Sequence, residues 1–285
     1  MTSSARMTRY LTLAALGGVS LGLPPSAAGV PLGAELSFEL APSVPEALPP
    51  LPPIGVFPVQ LVLDDDAAEG TVGVSDAGGA REFLWFNRFT PPGGAFDLEE
   101  VWVLFPPDVN MAVGDVVQIA VYLDPDGDPT NGANLLATFD ETIQVLDGST
   151  FSIYPLAPAV PILAPGDVLI GVVPRFIEPG DPATFPAAVD HTASQGRSWI
   201  AIWTGFPPDP PVLPPDSVIA TLDSLLPAAA GNWMIRGFGV PAQAVVEIPA
   251  LGGIGLLALV LALGAGGLVA LRRRRGRGMA RAASG

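Results

Sequence analysis

From Val59 to Phe238 the chain is written in short apolar runs separated by Gly, Pro and Asp. Such runs, bounded by turn formers, predict β-strands rather than helices. The clearest is Val116 to Leu123, where apolar and other residues alternate. A strand turns successive side chains to opposite faces, so Val117, Ile119, Val121 and Leu123 share one face. Val116, Gln118, Ala120 and Tyr122 share the other. Further strands are predicted over 59–63, 82–89, 101–105, 142–146, 150–156, 167–173, 198–203, 218–222 and 233–238. The pair 142–146 and 150–156 reads as a hairpin turning at Asp147-Gly148. No stretch in this region has a helical apolar period with caps. The expected fold is therefore all-β, a jelly-roll-like antiparallel β-sandwich over residues 57–240. Pro-rich runs such as Phe206-Pro207-Pro208-Asp209-Pro210-Pro211 cannot join a ladder and predict surface connections.

The two ends follow another pattern. Arg6 and Arg9 precede an uncharged apolar run from Tyr10 to Leu23, which Pro24 and Pro25 break. Ser26-Ala27-Ala28 then offers small residues, so residues 1–28 predict a secretory signal cleaved after Ala28. Gly18-Val19-Ser20-Leu21-Gly22 matches the spacing of a nucleophile elbow, but it lies inside this segment with no strand before it. Residues 29–56 hold a cluster of prolines from Pro42 onward and predict an extended spacer. Residues 241–249 link the body to a second apolar run. Ala250 to Leu271 carries no charge, and as a helix it reaches about 33 Å, enough to span a bilayer. Arg272, Arg273, Arg274 and Arg275 follow at once. Arginine clusters stay cytoplasmic, which predicts an exported body and an Arg-rich tail, 272–285, inside. Ala258, Ala262, Gly266 and Ala270 form a small-residue stripe along that helix, suited to close approach by another helix.

Ile248-Pro249-Ala250-Leu251, the Gly-punctuated apolar segment and the Arg cluster together resemble the IPTL-CTERM protein-sorting tails of Gram-negative bacteria, which belong with the PEP-CTERM tails. The resemblance covers about the last 30 residues. It implies recognition by a membrane-embedded sorting enzyme that cuts near the motif and releases or re-anchors the exported domain. Two positions depart from the family pattern. Ala250 stands where Thr is usual, and Gly252-Gly253-Ile254 replaces Ser, an acid and Trp. The Gly252-Gly253 pair is also similar to GlyGly-CTERM tails, whose processing enzymes are rhomboid-type proteases. The resemblance thus implies as partners the membrane, the export machinery and an exosortase-like or rhomboid-type enzyme.

Composition narrows the functional classes. The chain has 285 residues, no Cys and a formal net charge of −15. It also has no Lys. Five arginines and all 28 acids fall between Gly29 and Pro249, leaving that segment at −23. Such a surface repels phosphate backbones and argues against nucleic-acid binding. The lack of Cys removes disulfides, thiolate metal sites and Cys nucleophiles. One histidine, His191, cannot build a multi-His zinc site. It has Asp190 and Ser194 nearby in sequence, but no oxyanion motif accompanies them. A non-enzymatic role is expected.

The best candidate for chemistry is Asp124-Pro125-Asp126-Gly127-Asp128-Pro129-Thr130-Asn131, directly after a strand. Calcium takes six to eight hard oxygens, and alternating Asp124, Asp126 and Asp128 around a Gly turn can supply several. The same residue types also make ordinary solvated turns. Asp64-Asp65-Asp66 with Glu69 is a second acidic cluster, readable as a solvated turn at a strand end. Trp199 and Trp203 share strand parity, so they form either an aromatic strip for sugar rings or part of a core. The expected function is that of an exported cell-surface or extracellular-matrix protein. A calcium-supported carbohydrate-binding or adhesin module is the alternative.

Overall fold

The computed structural model describes residues 34–39 (backbone only), 57–91, 93–163 and 165–242. These belong to the first of two units, residues 1–242 and 243–285. The expected signal segment with its cleavage site at Ala28, the sorting motif Ile248 to Leu251, the apolar span 250–271 and Arg272 to Arg275 lie outside the described residues. Among the described residues no helix is long and apolar enough to cross a membrane.

The strands in chain order are β1 (Ala34–Glu39), β2 (Val59–Leu61), β3 (Gly70–Asp76), β4 (Gly79–Arg81) and β5 (Leu84–Phe89). Then come β6 (Phe96–Leu104), β7 (Val116–Asp124), β8 (Asn134–Thr142), β9 (Phe151–Ile162) and β10 (Asp167–Pro174). The last five are β11 (Ala187–Asp190), β12 (Ser198–Ile202), β13 (Val218–Thr221), β14 (Asn232–Trp233) and β15 (Ile235–Pro241), with one short helix, α1 (Leu222–Leu225). They pair antiparallel in three sheets. One runs β13-β12-β5-β10-β7-β8, a second β2-β15-β6-β9, and a third β1-β3-β11-β14 with β4 beside β3. The all-β expectation holds. Strand β1 falls inside the stretch expected as a spacer and pairs with β3 from Ala34 opposite Asp76.

The parity read from the sequence is the parity observed. Val117, Ile119, Val121 and Leu123 of β7 enter one apolar cluster, joined by Val168, Ile170 and Val172 of β10. Leu98, Val101 and Val103 of β6, with Tyr154 and Leu156 of β9, fill the same cluster from the second sheet. The opposite face of the six-stranded sheet is also dry. Ala120 and Tyr122, Leu84 and Phe86, Leu169 and Val173, and Ala201 make a second cluster with Trp203 and Leu213. Gly171 permits this: a Cβ there would lie 2.7 Å from Leu84 and from Phe86.

What covers that outer face is the Pro-rich segment 204–216. It has no ladder of its own, so side chains hold its carbonyls. Arg81 Nη2 donates to the carbonyls of Trp203, Thr204 and Gly205 at 2.6–3.0 Å. Arg175 donates to those of Pro207 and Pro208 at 2.9 and 2.8 Å. Tyr122 Oη donates to Pro211 at 2.9 Å, and Gln118 Nε2 to Asp209 Oδ1 at the same distance. Burial pushes the Tyr122 phenol well above its ordinary range. The hairpin expected at Asp147-Gly148 differs in detail: 143–146 is not a strand. Gln144 exchanges side-chain hydrogen bonds with the backbone of Ile153, and Ser152 Oγ accepts from the amides of Gln144 and Val145. Side chains thus do locally what a ladder would have done.

Candidate functional site

Two acidic places emerge, at different points of the fold. The first is the loop between β7 and β8. Asp124, the last residue of β7, is fully buried. Its Oδ1 accepts from the Gly127 amide at 3.1 Å. Gly127 has φ of 75°, a left-handed conformation that glycine adopts without strain. Asp126 is exposed; its Oδ1 accepts from the Asp128 amide at 3.1 Å and its Oδ2 from Asn131 Nδ2 at 3.0 Å. Asp128 caps the short 3-10 turn Pro129–Asn131, accepting from the amide and the hydroxyl of Thr130. Burial first, and then a hydrogen bond shared with Asp126, push the Asp124 carboxyl up to about 6. Asp126 is held below the usual carboxylate range, first by the Asp128 amide and then by the Asp124 hydrogen bond. Asp124, Asp126 and Asp128 thus share a loop but do not form a converging trio of ligands; Asp124 and Asp126 are neighbours, and Asp128 serves as the cap.

The second place is the strap from Asp64 to Glu69. The Asp triplet is not wholly the solvated turn expected from sequence: Asp65 and Asp66 are exposed, but the Asp64 side chain is buried. Asp66 adopts φ of 73°, so the chain turns and divides the acids between two sides. Asp64 and Asp66 bond the Arg236 guanidinium of β15. Arg236 and Asp64 have no exposed side-chain surface, and the Arg236 guanidinium lies 4.4 Å over the Phe151 ring. Asp65 turns the other way. Among the described residues Asp65, Glu69 and Asp190 form the one trio whose ligand oxygens all lie within 4.8 Å of one another. The trio is tied down by backbone. Asp190 accepts from the amides of Asp65 and Thr192 at 3.1 and 2.7 Å, and Glu69 accepts from the His191 amide at 2.8 Å. An all-carboxylate set suits a hard cation such as calcium. Asp190 stands 125 residues from Asp65, so no local pattern in the sequence joins them.

The remaining candidates resolve simply. His191 Nδ1 faces the carbonyl of Ala230 at 2.9 Å, while Ser194 Oγ donates to Asp223 at 2.6 Å. The Ser194, His191 and Asp190 side chains do not connect as a relay. Trp203 is buried in the outer apolar cluster, and the half-buried Trp199 packs against that cluster, stacked on Phe86 at 6.2 Å. They belong to the outer apolar cluster and not to a sugar-facing strip.

The class these observations define is an acidic all-β chain of antiparallel sheets with two carboxylate-rich corners. No family model and no curated protein matches it. A similar solved structure is that of the cysteine protease and lectin-like domains of a surface layer associated protein of Clostridium difficile. The identity is 13%, the TM-score 0.42, and the match covers 64% of this chain and 36% of that one. The chain thus spans well under half of that protein's length.

Proposed function

We propose that this chain is a non-enzymatic protein of the Gram-negative cell envelope, exported by its signal segment and delivered to the cell surface or matrix through its C-terminal sorting tail. The observation that carries the reading is the tripartite tail: Ile248-Pro249-Ala250-Leu251, an uncharged stretch to Leu271, then Arg272 to Arg275. A charge-free span ending in guanidinium groups partitions into lipid with its cationic end in the cytoplasm. The acidic body then faces away from the cytosol, and its charge supports solubility there. Its partners are the export machinery, the membrane and an exosortase-like or rhomboid-type enzyme. Nucleic acid is not among them. The body is read as a jelly-roll-like sandwich, supported by the cluster that the six- and four-stranded sheets fill together.

Intact mass and fractionation of the native protein test this. The expected mature species lacks residues 1–28 and those beyond about 250. A species ending at Gly285 in the membrane fraction reduces the tail to a plain anchor. The whole polypeptide, soluble in the cytosol with both ends intact, overturns the export reading.

A second reading, a calcium-supported carbohydrate-binding or adhesin module, is favoured by the Asp65, Glu69 and Asp190 oxygens. Calcium at about 100 times its Kd would stabilise the folded state by about 2.7 kcal/mol and raise Tm by about 5–10 °C. Asp65 is exposed, so Asp65→Asn is expected to fold and to lose that rise. A Tm that ignores calcium, or a rise that survives Asp65→Asn, removes this trio.

A further inference from the structure

The β7–β8 loop encloses a carboxylate with one oxygen to spare. The Asp124 side chain has no exposed surface, its Oδ1 is filled by the Gly127 amide, and its Oδ2 is buried with no N–H or hydroxyl donor, so that it can share only a proton or a cation with the neighbouring Asp126 carboxylate. A desolvated carboxylate oxygen needs a donor, a proton or a cation. The arginines of this end of the sheet go elsewhere. Arg88 donates to the Gly127 carbonyl and lies 3.4 Å from Asp167, and Arg197 also approaches Asp167, at 3.8 Å. The acid beside Asp124 is Asp126, and two neighbouring carboxylates favour a positive charge between them. Asp126 opens on its other side to a cleft of about 450 Å³, lined also by Asn131, Gly132, Asn134 and Leu213. The cleft brings solvent and further amide oxygens to the Asp126 side of the pair.

We infer that Asp124 and Asp126 hold one hard divalent cation of the calcium kind, with the buried Asp124 Oδ2 as the anchoring ligand and Asp126 on the side of the cleft. The donors are all oxygen, which disfavours softer metals. A loop of mixed carboxylate and amide oxygens tolerates the irregular shell that calcium accepts and magnesium does not. Asp128 stays outside the set, committed to capping the 3-10 turn. This site is separate from Asp65, Glu69 and Asp190 and does not depend on them.

The test is a calcium chloride titration of the ¹⁵N-labelled full-length chain in detergent micelles, stripped with EDTA and held at constant pH. Amide signals of Gly127 and Asp128 are expected to move saturably, with a Kd in the range of about 10⁻⁴–10⁻³ M typical of extracellular modules. Asp124→Asn and Asp126→Asn are each expected to weaken this at least about tenfold. Asp126 is exposed, so its variant decides the matter should Asp124→Asn fail to fold. Loop signals that ignore calcium and respond only to acid would mean that a shared proton completes the pair, and would overturn the proposal. Movement confined to the amides of Asp65, His191 and Thr192 would overturn it too, assigning calcium to the other corner. So would a loop response that persists in both variants.

Discussion

Replacing Arg236 with Met is expected to lower the folding free energy by about 3–5 kcal/mol, read as a fall in the urea midpoint at unchanged slope. Arg236 Nε lies 3.1 Å from both oxygens of Asp64, and Nη2 bonds Asp64 and Asp66. Neither Arg236 nor Asp64 has exposed side-chain surface. Without the guanidinium, the Asp64 carboxylate must stay buried unpaired or drag the strap into water. The apolar patch under the strap, Trp102, Phe151, Met234 and Phe238 with Val62 and Ala68, would then open. The double variant Arg236→Met with Asp64→Leu is expected to recover most of the loss, because it removes the stranded charge along with its partner. A single variant within about 1 kcal/mol of the parent would show that the pair is not what fastens the strap.

Asn87→Ala is expected to destabilise by about 2–4 kcal/mol, lowering Tm by about 5–15 °C. Asn87 stands on β5, fully buried, and its amide donates to the carbonyls of Trp233 at 2.8 Å and Ile235 at 3.0 Å. Its Oδ1 accepts from Ser198 Oγ at 2.7 Å, and Ser198 Oγ accepts in turn from the Trp233 amide at 2.9 Å. One side chain therefore ties the six-stranded sheet to strands of both other sheets. Truncation leaves two buried carbonyls and a hydroxyl short of partners. Ser198→Ala, which removes both hydroxyl bonds but leaves the Asn87 amide bonded to the Trp233 and Ile235 carbonyls, is expected to lose roughly half as much. Equal losses in the two variants would contradict this ordering.

How much of this was legible in the chain depended on where each strand sits. Strand β7 announced itself by alternation, and the residues sharing each of its two faces are those the alternation predicts. Strand β8, Asn134 to Thr142, was not expected: it is an edge, half exposed along its length, and packing imposes little period on it. Strand β3 was missed because Gly70, Gly73 and Ser75 dilute its valines. Those glycines are demanded by neighbours invisible in the sequence; a Cβ on Gly73 would meet the Thr184 carbonyl at 1.9 Å. The Asp124 loop was legible because its residues are consecutive. Arg236 beside Trp233 could not be assigned a partner from sequence, since Asp64 stands 172 residues away. Pairings of that separation are set by topology, and no local pattern encodes them.

The Pro-rich cover over the six-stranded sheet has one more consequence. Strands are locked in place by ladder bonds, so a single insertion shifts every later side chain to the wrong face. Segment 204–216 has no such lock; the tips of Arg81, Arg175, Gln118 and Tyr122 grasp whichever oxygen comes within reach. It behaves as a shingle laid over a finished wall. Its length and composition are free to drift while the masonry beneath keeps its bond, which makes it the natural place on this protein for novelty to accumulate.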